Sequence, residues 1–210
     1  MIKVIITDDH PIVRKGIKQI IDECHDLEVV DEAAQGSELI QKIMNNKYDV
    51  VLLDISMPGR NGMEILKDIK RLKPEIAILM LSVYPEEQYA LRALKLGASG
   101  YLTKESVPGE LIKAIRHVAG GGKYITPEVA ESIAFDFDKS NDNPKHKNLS
   151  DREFEVMCFI AEGKSTTEIA RELSLSTKTI STYRDRIYVK MKLKTSSEII
   201  RYALKEGLVE

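Results

Sequence analysis

The 210-residue chain is 43% hydrophobic and 30% charged, with 31 basic against 33 acidic side chains and a net charge of −2. Such a composition excludes wholesale disorder, and the length accommodates one large domain or two small ones. Apolar runs such as Ile76 to Leu81 fall far short of the roughly 18 residues of a membrane span, and no signal-like segment opens the chain; a cytoplasmic protein without membrane partners is expected. Cys24 and Cys158 lie far apart within helical patterns and read as buried structural thiols in a reducing compartment.

In chain order, Ile2–Thr7, Leu27–Ala33, Tyr48–Asp54, Ile76–Ser82 and Ser99–Leu102 read as strands, separated by helix-length segments. Near-continuous apolar strands alternating with helices predict an α/β fold: a five-stranded, doubly wound parallel sheet with helices on both faces. The Gly120–Gly122 triplet lacks the spacing of a phosphate loop and follows a helix, so it reads as a helix end. From Asp136 to Asn148 the sequence DFDKSNDNPKHKN has almost nothing to bury and reads as a linker. Helical patterns near 151–162, 166–173, 177–193 and 196–206 then predict a small all-α domain of four helices. Ser150 with Glu153, Ser165 with Glu168 and Thr195 with Glu198 have capping-box spacing, Ser176 caps the third helix, and Ser174–Ser176 forms the turn of a helix-turn-helix. The domain limits are placed at 1–122, 123–148 for the connecting segment and linker, and 149–210.

Asp8 and Asp9, Asp54, Ser82 and Lys104 each follow a predicted strand. Ligands of open α/β sheets bind outside the carboxyl ends of the strands, where strand order reverses. If strands 1 and 3 flank that reversal, three carboxylates converge, and a hard divalent cation such as Mg²⁺ is their natural partner, with a carbonyl near Ser56 as a further ligand. A carboxylate beside a cation and a lysine can attack phosphorus, and Asp54 is the candidate nucleophile. A single strand-end aspartate is usually a cap or a solvated loop residue; the set outweighs that reading. His10 has no nucleophile elbow to serve and reads as a loop histidine before Pro11, while His25, His117 and His146 show no metal spacing.

Ser174 to Lys194 carries six basic residues against Asp185 alone, which points to a polyanion partner. On a helical wheel Ile180, Ile187 and Met191 share one face, whereas Lys178, Ser181, Thr182, Asp185, Val189 and Lys192 lie opposite and are free to read DNA.

Asp8-Asp9, the D-x-x-M-P stretch from Asp54 to Pro58, Ser82 and the Y-L-T-K stretch ending at Lys104 together resemble the receiver domain of bacterial two-component response regulators. L-S-D-R-E-F-E-V from Leu149, G-K-S-T-T-E-I-A from Gly163 and T-K-T-I-S-T-Y-R from Thr177 resemble the LuxR-type helix-turn-helix domain. End to end the chain is similar to the NarL/FixJ family, with a version of the helix motif like that of the branch containing BvgA and UvrY. The resemblance implies a non-enzymatic response regulator in which Asp54 accepts phosphate from a sensor histidine kinase. Asp9, Asp54 and the Ser56 carbonyl would ligate Mg²⁺, with Asp8 assisting through water. Ser82 and Lys104 would hold phosphoryl oxygens, and Tyr101 would be the aromatic that swings inward as the switch. Ser181, Thr182 and Asp185 would face bases, while Lys178, Thr179, Arg184 and Lys190 would touch phosphates. Phosphorylation would promote a homodimer on inverted promoter half-sites, with RNA polymerase a further partner. Glu105 stands where many receivers have the proline after the lysine. Two competing readings are a small-phosphoester hydrolase, for which the D-x-D signature is missing, and a constitutive DNA binder whose receiver only dimerises.

Overall fold

The computed structural model describes residues 1–84, 86–127, 129–131 and 144–209, without the side chains of Glu87 and Gln88. The chain divides into two compact units, Met1–Glu131 and Ser132–Glu210.

In the first unit, strands β1 (Ile2–Thr7), β2 (Leu27–Ala33), β3 (Val50–Asp54), β4 (Ala77–Ser82) and β5 (Gly100–Thr103) alternate with helices α1 (Pro11–Asp22), α2 (Gly36–Asn45), α3 (Gly62–Leu72), α4 (Glu86–Lys95) and α5 (Pro108–Ala119). All pairings are parallel and the order is β2-β1-β3-β4-β5, so strand order reverses at β1, between β2 and β3. The five-stranded doubly wound sheet is thus as expected, with small boundary differences. β3 and β4 start later because Tyr48 turns its hydroxyl to Asp31 and Ile76 closes a turn onto Lys73; β5 is shifted one residue on. Cys24 is only half-buried and follows the end of α1 rather than lying within it, which corrects the buried helical assignment, while Cys158 is buried.

Because strand side chains alternate between faces, Val4, Ile6, Val50, Leu52, Leu79 and Leu81 pack with Ile17 and Ile21 of α1 and Leu111 and Ile115 of α5. Ile5, Val51, Leu53, Ile78 and Met80 face the other way and are equally buried. Every such aliphatic side chain taken from water contributes about 1.5–3 kcal/mol. This two-sided burial explains why the strands are apolar without alternation. Gly62, at the start of α3, permits an unusually close approach: a Cβ there would lie 2.1 Å from the Asp54 carbonyl oxygen.

In the second unit, residues 136–143 of the expected linker lie outside the described residues. Its end is not extended: Lys145–Asn148 forms a short 3-10 helix, within which the His146 ring Nδ1 lies 2.9 Å from the Tyr202 hydroxyl. Four helices follow: α6 (Asp151–Ala161), α7 (Thr166–Glu172), α8 (Thr177–Met191) and α9 (Ser196–Lys205). Ser150 with Glu153 and Ser165 with Glu168 form complete capping boxes. At α9 the box is incomplete: Thr195 accepts from the Glu198 amide, but the Glu198 carboxylate accepts from the Lys194 amide instead, 2.6 Å away. The turn between α7 and α8 places Ser174 at φ 53°, and α8 ends two residues earlier than expected because Lys192 is left-handed at φ 54°.

Candidate functional site

The sheet's reversal point explains the geometry of the acidic cluster. β1 ends at Thr7, and the Asp8 carboxylate immediately accepts the His10 amide at 2.8 Å, a local turn that Pro11 completes by opening α1. The turn is anchored from outside: the Arg14 guanidinium donates to the Asp8 carbonyl at 2.7 Å and to Glu32 at 2.9 Å. β3 delivers Asp54 at its last residue, 1% exposed, beside β1. One potential ligand atom each from Asp8, Asp9, His10 and Asp54 lies within 4.8 Å of all the others. β5 delivers Lys104, whose backbone amide donates to the Ser82 carbonyl at 2.7 Å and whose Nζ lies 2.7 Å from Asp8 Oδ2 and 2.8 Å from Asp54 Oδ2.

Electrostatics follow from burial and crowding. Burial pushes the Asp54 carboxyl up to about 6, with Asp8 repulsion adding to the rise and Lys104 opposing it. For Lys104, burial works against the charged form, but contact with Asp54 and Asp8 more than offsets it and the ammonium is held above its ordinary value. Three carboxylates against one ammonium leave surplus negative charge, and Asp9 Oδ1 is buried with no hydrogen-bond partner among the described residues. Three clustered carboxylates, one with an orphaned oxygen, fit a hard divalent ion such as Mg²⁺.

Ser82 and Tyr101 belong to the same end of the sheet. Ser82 is fully buried and its Oγ accepts from the Tyr84 amide at 3.1 Å. Tyr101 is 2% exposed, turned inward, and donates to the Tyr84 carbonyl at 2.9 Å. Tyr84 therefore joins residues that sequence reasoning had taken separately: its hydroxyl also accepts from Ser56 Oγ at 3.0 Å, and its ring stacks on Tyr89 of α4 with centroids 4.8 Å apart. Neither Tyr84 nor Arg14 was singled out from the sequence, and His10 was set aside. Their only signal was position, two residues after Ser82 for Tyr84 and within six residues of the Asp8-Asp9 pair for the other two.

On α8 the expected division of faces holds. Ile180, Ile187 and Met191 are buried, while Lys178, Thr182, Asp185, Val189 and Lys192 are exposed and Ser181 is intermediate. The hydroxyls of Ser181 and Thr182 bond back to carbonyls of their own helix at 3.0 Å, and Thr179 supports the Ser176 cap. Two cations are less free than a wheel suggests. Lys190 Nζ lies 2.6 Å from the Glu153 carboxylate, and Arg184 has its Nε buried without a hydrogen-bond partner among the described residues.

Comparison with known proteins agrees with both halves. The model for the response regulator receiver domain matches residues 4–116, and that for the luxR family of bacterial regulatory proteins matches 147–203. The response regulator UvrY of Escherichia coli (strain K12) is 35% identical over 209 residues, covering 99% of this chain and 96% of that protein. The oxygen regulatory protein NreC of Staphylococcus carnosus (strain TM300) is 38% identical over 215 residues, 99% of each. Among solved structures, RcsB from Salmonella enterica serovar Typhimurium, bound to promoter rprA in the presence of the phosphomimetic BeF3⁻, superposes with a TM-score of 0.66 at 30% identity, covering 96% of this chain and 97% of that one. With both family models matched in this order and relatives similar over their full length, the chain belongs to the NarL/FixJ family of two-component response regulators, which join a receiver to a LuxR-type helix-turn-helix and act as regulators rather than enzymes.

Proposed function

We propose that Asp54 accepts a phosphoryl group from a sensor histidine kinase in a Mg²⁺-dependent reaction, and that this controls dimerisation and sequence-specific binding to inverted promoter half-sites. The observation that carries the reading is Asp54 itself: a buried strand-end carboxylate in contact with Lys104 and grouped with Asp8 and Asp9. An Asp54 oxygen attacks phosphorus, the P–N bond of the kinase phosphohistidine breaks, and the electron pair returns to the imidazole nitrogen, which then takes a proton. Mg²⁺, held by Asp9, Asp54 and the Ser56 carbonyl with Asp8 acting through water, would neutralise charge on the transferred group. Lys104 exchanges part of its contact with Asp54 and Asp8 for a phosphoryl oxygen, and Ser82 Oγ turns from the Tyr84 amide to another. Tyr101 is the switch aromatic, already inward and bonded to the same Tyr84 whose amide Ser82 holds.

In this reading the receiver spans 1–122 and the DNA-binding domain 149–210, joined by 123–148. Ser181, Thr182 and Asp185 face bases, and Lys178, Thr179, Arg184 and Lys190 reach phosphates, the last at the expense of its ion pair with Glu153. The relatives support the DNA partner, since the RcsB structure named above contains a promoter. The test is selection of DNA from a random-sequence pool, followed by affinity for the selected duplex with and without an acyl-phosphate donor. A gain of tenfold or more that Asp54→Asn abolishes is expected. Equal affinity in all states would favour a constitutive binder whose receiver only dimerises.

A further inference from the structure

Within the acidic pocket one group has no part in the reading above, the imidazole of His10. Its Nδ1 lies 2.9 Å from Asp9 Oδ1 and is hydrogen-bonded to Asp8 Oδ1 at 3.2 Å. The nearer contact is not a hydrogen bond, because Asp9 Oδ1 is buried and has no hydrogen-bond partner among the described residues. A ring nitrogen has one in-plane direction, and it cannot serve two carboxylate oxygens at once with straight hydrogen bonds. Asp8 Oδ1 already accepts the His10 backbone amide, and a cation seated between the ring nitrogen and Asp9 Oδ1 would satisfy the other two atoms together. The spacing suits that role, since two neighbouring ligands of an octahedral ion with bonds of about 2.1 Å lie roughly 3 Å apart. His10, Asp8, Asp9 and Asp54 each place one potential ligand atom within 4.8 Å of the others, so that small side-chain shifts bring the set to one ion. Lys104 occupies the other side of Asp8 and Asp54, donating to Asp54 Oδ2 and ion-paired with Asp8 Oδ2, so it leaves Asp9 and His10 clear.

The ring is also well supplied with freedom to adjust. Its side chain is 61% exposed and makes no cap hydrogen bond to α1, so a small rotation breaks nothing in the helix. Oxygen ligands suit Mg²⁺, Ca²⁺ and Mn²⁺, whereas imidazole adds affinity for borderline ions later in the first transition row. We propose that His10 Nδ1 is a nitrogen ligand of this pocket, so that Asp9, Asp54 and His10 bind a divalent first-row transition ion of the cobalt, nickel or zinc class in competition with Mg²⁺. This inference rests on the phosphoacceptor reading of the same site and adds a residue and an ion class to it.

Co²⁺ serves as the probe, since it is paramagnetic and accepts mixed nitrogen and oxygen ligands. The full chain is titrated with Co²⁺ and, separately, with Mg²⁺ by calorimetry, and the ring C–H resonances of the four histidines are followed by NMR. The His10 ring protons are expected to move far outside the diamagnetic range, and excess Mg²⁺ should return them. In His10→Asn the ratio of Co²⁺ to Mg²⁺ affinity should fall roughly tenfold or more. An unshifted His10 ring, or an unchanged ratio in His10→Asn and in a second variant His10→Phe, overturns the assignment. The phosphoacceptor reading fails separately: its marker is Mg²⁺-dependent uptake of a phosphoryl group by the wild-type chain, read by intact mass.

Discussion

Asp54 is held in its charged form at a cost that a partner can relieve. In the metal-free chain its folded value of about 6 lies above the ordinary 3.8, so between these values the folded state binds more protons than the unfolded one. Stability therefore falls as pH rises through that window. Asp54→Asn should stabilise the metal-free chain near neutral pH by about 1–3 kcal/mol and flatten the decline between roughly pH 4 and 6. Urea midpoints at the two ends of the window check this; a destabilised variant would show that the contact with Lys104 outweighs burial. Gly62 acts on the same residue through backbone. With a Cβ 2.1 Å from the Asp54 carbonyl oxygen, Gly62→Ala must displace α3 or the strand end, costing about 1–3 kcal/mol. Amide chemical shifts at Asp54 and Ile55 should move well beyond those of a surface substitution. The carboxylates were legible because each directly follows an apolar strand, whereas Tyr84, Arg14 and His10 were not: their partners lie at Ser56, Glu32 and Asp9, and only the closed fold brings two of these pairs together.

Among the elements, the helix starts of the second unit were written locally and were read correctly where both halves of a capping box pair. Ser150 and Ser165 accept amides while Glu153 and Glu168 reach back. At Thr195 the same spacing gives a different result, because Glu198 finds the Lys194 amide first. Lys190 escaped the helical wheel for a different reason. Its partner Glu153 is 37 residues away, so a surface cation becomes a brace between α6 and α8. The carboxyl of Glu153 is resisted by burial but drawn below its ordinary value by Lys190 and the Ser150 groups. The stabilisation this implies is present above the ordinary glutamate value of 4.5 and is lost as pH falls through the lower folded value. Lys190→Ala should cost about 1 kcal/mol near neutral pH and remove part of that acid sensitivity, which pH-dependent thermal unfolding would detect. At the turn between α7 and α8, Ser174 adopts φ 53° with a Cβ present. Ser174→Gly should therefore raise stability by about 0.5–1 kcal/mol, and an unchanged or lowered melting temperature would contradict that reading of the turn.

Across the whole molecule, fold class was legible because the sheet buries both faces and the strands are correspondingly apolar, and the strand order placed β1 beside β3 as the acidic residues require. Less legible was the stretch before α6, where an expected linker end is a short helix with His146 in contact with Tyr202. Among the described residues no helix is long and apolar enough to cross a membrane. The proposed regulation turns on one side chain, with Asp54 as the carrier of the phosphoryl group. The most direct measurement is the intact mass of the full chain after incubation with Mg²⁺ and a small acyl-phosphate donor, beside an Asp54→Asn variant and a chelator control. One phosphoryl group per chain is expected, absent in the variant and in the chelated sample. An adduct that persists in Asp54→Asn, or none in the wild type, would contradict that role.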